Sequence, residues 1–256
     1  SSIGIHRAKI SSDLNMHTIK MNVNATPWYG ADFDGDEMNL FIPHNYDSIG
    51  EGKYLSLIDH MFLSTKTATP MIGEIQDAVI GCFKLTQNNV LINRFHAMNL
   101  FKNVCCNIIF DNKKEFTGKD IISYYLKQNN YDIKYKGAST FYSSLPNDKE
   151  LLAKITTDDD KLTIIKDYTL VSGHLDKKLI GGGAKNGIFH QIASQLNETK
   201  ALDAIYDLQQ IALIFLLNYG FTISLNDLIV NKESEKMIEI INKKIFYDID
   251  ELNTLL

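Results

Sequence analysis

The chain has 256 residues, 45% of them hydrophobic and 22% charged, with a formal net charge of −5; this is a globular composition, long enough for one large or two small cores. Its 26 Lys and Arg against 31 acids exclude the general basic footprint of a nucleic-acid binder. No run reaches the roughly 18 apolar residues of a membrane span, so none is expected.

Three cysteines, Cys82, Cys105 and Cys106, lack zinc-ligand spacing and read as packing residues of a reducing compartment. The N-terminus has neither an initiator Met nor a charged-then-apolar signal pattern, which suits a piece of a longer chain.

Residues 1–45 look strand-rich, with HRAKI, TIKMNVNAT and MNLFIP as the segments; Ile19, Met21 and Val23 alternate onto one face. In SIGEGKYLSLIDHMFLST, apolar residues at Tyr54, Leu55, Leu57, Ile58, Met61 and Phe62 follow a helical period. Ile75–Thr86 predicts a second helix after Pro70 and Gly73, and Phe116–Gln128 a third with Thr117 as N-cap. LTIIKDYTLVSGHL reads as short strands, and the glycines at 181–183 as a flexible loop. Ile188–Leu217, which contains the apolar run IALIFLL, predicts a buried helix stopped at Asn218–Gly220, and Glu233–Lys244 a last one. Lys134–Asn147 and Thr156–Lys161 read as polar connections, and Asp158–Asp160 as surface.

The chemistry concentrates in PWYGADFDGDEMNLFIP, where Asp32, Asp34 and Asp36 fall within five residues and Glu37 follows. Short acidic runs commonly lie on solvated turns, but here apolar residues bracket the run and Gly35 interrupts it. On a flat strand each two-residue step covers about 6.6 Å. Ligands of one Mg²⁺, bound at about 2.0–2.1 Å, must lie within about 4 Å of one another. The segment must therefore curl at Gly35 to serve as a metal site. Three carboxylates over-neutralise a divalent ion, which suits a hard cation with positions left for water and phosphate oxygens. An EF-hand needs Gly sixth and Glu twelfth; counted from Asp32, Gly35 is fourth and Pro43 twelfth. DFDG also opens the haloacid-dehalogenase type of phosphatase, but that motif wants an unbroken apolar strand before it and Thr or Val after Gly.

ADFDGDEMNL resembles the metal-binding loop of the largest subunit of multisubunit DNA-dependent RNA polymerases. Other stretches resemble the same family in the same order. They are SIGIHRAKI, the Pro70, Gly73, Gln76, Asp77 pattern, FTGKDIIS, LVSGHLDKKLIGGGAKNGIFHQI (Gly173, Lys177, Lys178, Gly187, His190) and NYGFTISLNDLI. The resemblance implies an α+β chain: part of a double-psi β-barrel (residues 1–50), a mixed α/β pore domain (51–222) and the start of a helical funnel (223–256). It implies that Asp32, Asp34 and Asp36 hold Mg²⁺ for nucleotidyl transfer in transcription, competent only within the assembled polymerase. Glu37 would support the loop or act near a second metal, against simple exposure; Gly35 would support the loop, and Lys177 and Lys178 would line the nucleotide channel. The implied partners are the other subunits, the second-largest especially, with DNA template, RNA product and nucleoside triphosphates, and no membrane. The wording is similar to viral, poxvirus-like polymerases, which implies an intracellular setting, host cytoplasm and virion if viral. Gly30 departs from the family, which has Asn there as a sensor of ribose hydroxyls. Alternatives are a non-catalytic scaffold or remnant fragment and the phosphatase.

His6 and Arg7 read either as phosphate contacts or as an ordinary barrel-edge pair. Gln76 and Asp77 read as fixing the pore domain's packing by hydrogen bonds rather than touching substrate, His190 as a capped or core histidine rather than a ligand, and the lysine pair otherwise as a solvated turn.

Overall fold

A computed structural model of the chain describes residues 4–13, 15–104, 109–144, 157–229 and 232–255. Cys105, Cys106 and the end of the Lys134–Asn147 connection lie outside the described residues. Two compact units are present, Ser1–Asn218 and Tyr219–Leu256.

In the first unit, the expected strands of residues 4–45 do not form among the described residues. Apart from the isolated bridge between Ile5 and Leu57, the described part of residues 4–22 joins no sheet ladder, and the chain then passes through a 3₁₀ turn Val23–Ala25 into α1, Thr26–Tyr29. A strand is defined by its pairing, and here alternation finds nothing to pair with; Leu40, Phe41 and Ile42 stay 71%, 80% and 75% exposed. The helix expected through residues 48–65 is broken. It runs as α2, Tyr46–Glu51, then a π turn Gly52–Ser56, an extended Leu57 and a 3₁₀ turn Ile58–His60. Leu57 leaves the helix because its neighbours close the bridge to Ile5: Ile5 N–H donates to Ser56 O at 2.9 Å and Ile58 N–H to Ile5 O at 3.1 Å.

Two of the next helices follow the periodicity, and a short strand pair and helix that it did not signal lie between them. Helix α3 spans Asp77–Leu85 and buries Ala78, Cys82 and Leu85. Strand β1, Leu91–Asn93, leads into α4, Arg94–Leu100, and pairs antiparallel with β2, Glu115–Thr117. Helix α5, Gly118–Gln128, starts on the expected Thr117, which forms a reciprocal capping box with Asp120 and fixes two otherwise orphaned N–H groups. The polar connections contain structure of their own: β3, Tyr135–Ala138, α6, Thr140–Ser144, and α7, Asp158–Lys161. The expected β run is a hairpin of β4, Leu162–Lys166, and β5, Thr169–Ser172; its turn residues Asp167 and Tyr168 both have positive φ. Strand β4 pairs with β3 on its other side, giving a three-stranded antiparallel sheet.

After α8, Lys177–Ile180, the three glycines are a packing device rather than a loose loop. Glu74 N–H donates to Ile180 O at 2.7 Å and Gly183 N–H to Pro70 O at 2.7 Å. The two backbones lie so close that a Cβ on Gly73 would sit 2.4 Å from Gly181 C and Gly182 N. The expected long helix is two, α9, Ile188–Gln195, and α10, Glu198–Tyr219. They part at Asn197, whose side chain accepts from Lys200 N–H at 2.8 Å. Helix α10 is long and apolar enough to cross a membrane by length and composition, yet half of that stretch is buried within the fold. Its Ala204, Leu208, Ile211 and Phe215 sit in the core with Phe62, Leu85, Ile121 and Tyr125, the place of a core helix.

The second unit contains a 3₁₀ turn, Leu225–Leu228, capped by Ser224 and Asp227, and α11, Lys232–Leu255, longer than the predicted 233–244.

Asp159 is partly exposed but is held on several sides. It accepts from Ser172 Oγ at 2.7 Å, Gly173 N–H at 2.9 Å and Asn88 Nδ2 at 2.6 Å, and pairs with Lys119 Nζ at 3.0 Å. Burial raises its carboxyl, but these donors outweigh it and hold the group well below the ordinary carboxylate range.

The close crossing and the held carboxylate are both open to measurement. Gly73→Ala lowers stability by about 1–3 kcal/mol through overpacking, measured by urea denaturation. Gly50→Ala, where a Cβ meets nothing within 4 Å, does not. The stability contributed by a carboxyl with a depressed folded pKa is present above its ordinary value of 3.8 and is lost as pH falls. Asp159→Asn therefore costs about 1–3 kcal/mol at neutral pH, and the gap to wild type closes as the pH of the denaturation series is taken below that value.

Candidate metal centre

The residues ahead of the aspartates are fastened to the core one by one. Asn22 Nδ2 donates to Gln209 Oε1 on α10 at 2.9 Å, and Asn24 Nδ2 to Glu74 Oε2 at 3.0 Å. Trp28 of α1 is buried. Tyr29 Oη and His6 Nδ1 lie 2.5 Å apart; partial burial pushes the tyrosine up and the imidazole down, the latter opposed by Asp59. Pro27 starts the single turn of α1 with its φ already set. Gly30 ends it in the left-handed region, φ 56°, ψ 31°, and Ala31 N–H closes back on Thr26 O at 3.1 Å.

From this fixed end the loop curls as the spacing requires. Asp32 N–H donates to Asp36 Oδ2 at 2.9 Å and Asp34 N–H to Asp32 Oδ1 at 3.4 Å, while Gly35 takes φ 122°, a value that disfavours any side chain. The consequence is convergence: one carboxylate oxygen from each of Asp32, Asp34 and Asp36 lies within 4.8 Å of the others, all three residues solvent-exposed. Hydrogen bonding with Asp32 pushes the Asp34 carboxyl up, with desolvation and the charge of Asp36 adding to it. Oxygens around Mg²⁺ sit about 3 Å apart when adjacent and about 4.2 Å when opposite. The trio's separations, all within 4.8 Å, are close to those values, and small rotations of exposed aspartate side chains can match them. The donor set fits a hard divalent cation.

The other expected site residues are placed differently. Glu37 is exposed and lies outside the converging group. Lys177 and Lys178 open α8 after Asp176, which caps Lys178 N–H at 3.1 Å; Lys178 Nζ donates to Ser143 Oγ. With Lys185, Tyr135, Thr140 and Gly183 they line an open depression of about 430 Å³. Gln76 and Asp77 are exposed. His190 is a local cap, its Nδ1 accepting from Asn186 N–H at 2.9 Å.

Sequence reading missed Glu74 and Asn24. Glu74 is fully buried, and burial drives its carboxyl up to about 8 against the opposing hydrogen bond from Asn24. Asn24 Oδ1, Glu74 Oε1 and Trp28 Nε1 are buried without a hydrogen-bond partner among the described residues. Glu74 stands alone in an apolar stretch, IGEIQ, a signal that a charged residue at a core position needs an explanation.

The phosphatase alternative wants a strand running into the first aspartate; α1 and the left-handed Gly30 stand there instead. Comparison with known families points elsewhere. The model described as RNA polymerase Rpb1, domain 3, matches residues 61–228, and that for RNA polymerase Rpb1, domain 2, matches residues 1–58. The chain belongs to the Rpb1 family of RNA polymerase largest subunits. Among the relatives of this Rpb1-family chain is the DNA-directed RNA polymerase RPB1 homolog of African swine fever virus (strain Badajoz 1971 Vero-adapted), 35% identical over 100% of this chain and 18% of the relative. The DNA-directed RNA polymerase III subunit RPC1 of Saccharomyces cerevisiae is 28% identical over 99% of this chain and 18% of the relative. The same-named subunit of Debaryomyces hansenii is 27% identical over 98% and 18%. The chain thus spans about 18% of the length of each of these relatives.

Proposed function

We propose that this Rpb1-family chain supplies the metal-holding loop of a DNA-directed RNA polymerase active centre, with Asp32, Asp34 and Asp36 as the ligands of Mg²⁺. The observation that carries this reading is the convergence of three carboxylates on one point in a chain of that family. When bound, the cation supplies charge neutralisation at the reacting phosphate and acidifies the attacking 3′-hydroxyl. The chain's own part is positioning. Gly35 sets the curl, and the backbone N–H groups of Asp32 and Asp34 orient neighbouring carboxylates. The contacts of Asn22, Asn24 and Trp28 fix the loop's leading end. No protein nucleophile is needed. Glu37 borders the loop as a supporting group.

On this reading residues 1–50 belong to a double-psi barrel completed by other strands, which accounts for the exposed Leu40, Phe41 and Ile42. Residues 51–222 form the pore domain and 223–256 begin the funnel. Lys177 and Lys178 draw nucleoside triphosphates along the channel by charge. The other polymerase subunits, the second-largest above all, supply most of the grip on DNA template and RNA product, which is why a net charge of −5 is no obstacle. Viral relatives favour work in the host cytoplasm and packaging in the virion.

Asp32→Asn, Asp34→Asn or Asp36→Asn, each introduced into the assembled polymerase, lowers RNA synthesis by at least about 10²–10³-fold, the scale for losing one charge-stabilising group, with assembly intact by gel filtration. Full activity in any of the three overturns the reading. Gly30 offers a second test. Its left-handed backbone is one that asparagine tolerates well, and nothing lies within 4 Å of a Cβ there. Gly30→Asn changes stability by less than about 0.5 kcal/mol and sharpens the preference for ribonucleotides over deoxyribonucleotides in a primer-extension competition.

A further inference from the structure

The buried Glu74 has no part in the chemistry just described, yet it touches the segment that carries the aspartates. Of the four polar atoms in the Asn24–Glu74 pair, one contact is made, Asn24 Nδ2 to Glu74 Oε2 at 3.0 Å. The two remaining oxygens, Asn24 Oδ1 and Glu74 Oε1, are both buried and without a partner among the described residues. An ionised carboxylate can only accept, so it would leave two acceptors stranded in the core. A proton on Glu74 Oε1 would make it a donor, and an acid–amide ring with Asn24 Oδ1 would satisfy both orphans.

We propose that Glu74 is a positioning residue that carries a proton in the folded chain and, by bonding Asn24 through both ends of its carboxyl group, locks the turn and helix in front of the aspartate loop onto the core. The balance is simple: folding takes one proton from solvent onto Oε1, and no other group changes. Glu74's own backbone is pinned by its N–H bond to Ile180 O at 2.7 Å, so the carboxyl is held from behind. Among the described residues no Lys, Arg or His pairs with it. The titratable neighbour on α3 is the Cys82 thiol, which burial, and then the charge of Glu74, push well above its ordinary value, so the thiol stays neutral where Glu74 titrates. The grip is therefore pH-sensitive: a carboxyl raised from 4.5 to about 8 contributes least cost below its unfolded value, and the lock loosens as pH rises through its folded one.

The consequence for the loop rests on the metal reading above; the lock itself does not, and it is tested without metal. Amide hydrogen exchange of the full 256-residue chain in metal-free buffer, corrected for intrinsic rates, reads the protection of the Ala25, Gly30 and Ala31 amides, which close the turns around α1. Measurements at about pH 6.5 and about pH 9.5 bracket the titration of Glu74 near 8. Wild type loses about ten- to a hundredfold protection at the higher pH, the equilibrium counterpart of one buried hydrogen bond. Glu74→Gln, whose amide donates where the acid did, keeps full protection at both. Glu74→Leu is unprotected at both. The comparison of wild type with Glu74→Gln decides the matter even where Glu74→Leu does not fold. Protection in wild type that is unchanged by pH, or a Glu74→Gln variant that is already loose at the lower pH, overturns the proposal.

Discussion

Everything in this chain's candidate site turns on mutual repulsion among three carboxylates packed into five residues. Their oxygens lie within 4.8 Å of one another on an exposed loop, and the Asp34 carboxyl is raised, first by its hydrogen bonding with Asp32 and then by desolvation and the charge of Asp36. An ordinary solvated turn would let the side chains splay. Here the Asp32 and Asp34 N–H groups hold two of them by hydrogen bonds, and Gly35 adopts a backbone that other residues resist. A divalent cation converts the repulsion into attraction, because each ligand then faces positive charge rather than another carboxylate.

The loop alone could not hold that geometry; its leading end has to be rigid. Asn22 reaches α10, Asn24 reaches Glu74 beside the glycine crossing, and Trp28 is buried. The glycines at 73 and 181–183 serve the same end, since they let two backbones approach closely enough for Glu74 to be pinned at Ile180. Site and core are thus joined by a few short side-chain bonds.

What could be read from the residues was local chemistry. Thr117 with Asp120 three positions on is a capping box in sequence and in space, the apolar spacing of 77–85 gives α3, and the demand for a curl at Gly35 comes from ligand geometry alone. What could not be read depended on distant partners. The alternation at Ile19, Met21 and Val23 resembles a strand, but Val23 and its neighbours turn into a 3₁₀ helix because Asn22 caps them, donating its side chain onward to Gln209. Leu57 breaks a well-spaced helix to meet Ile5. Asp159 reads as surface in the sequence because its four donors come from Asn88, Lys119 and the β5 end, none of them near it in sequence apart from the hairpin. Asn197 is a different case: Asn followed by an acid ahead of an apolar run is a helix start, and the signal was there to be used.

The central claim is that Asp32, Asp34 and Asp36 together bind one hard divalent cation. Titration of the full chain with Mn²⁺, followed by the loss of the free ion's electron paramagnetic resonance signal, tests it most directly. The account predicts a single saturable site in wild type that Mg²⁺ competes for and that Asp34→Asn removes. Equal uptake by wild type and Asp34→Asn, or no saturable uptake by either, would contradict it.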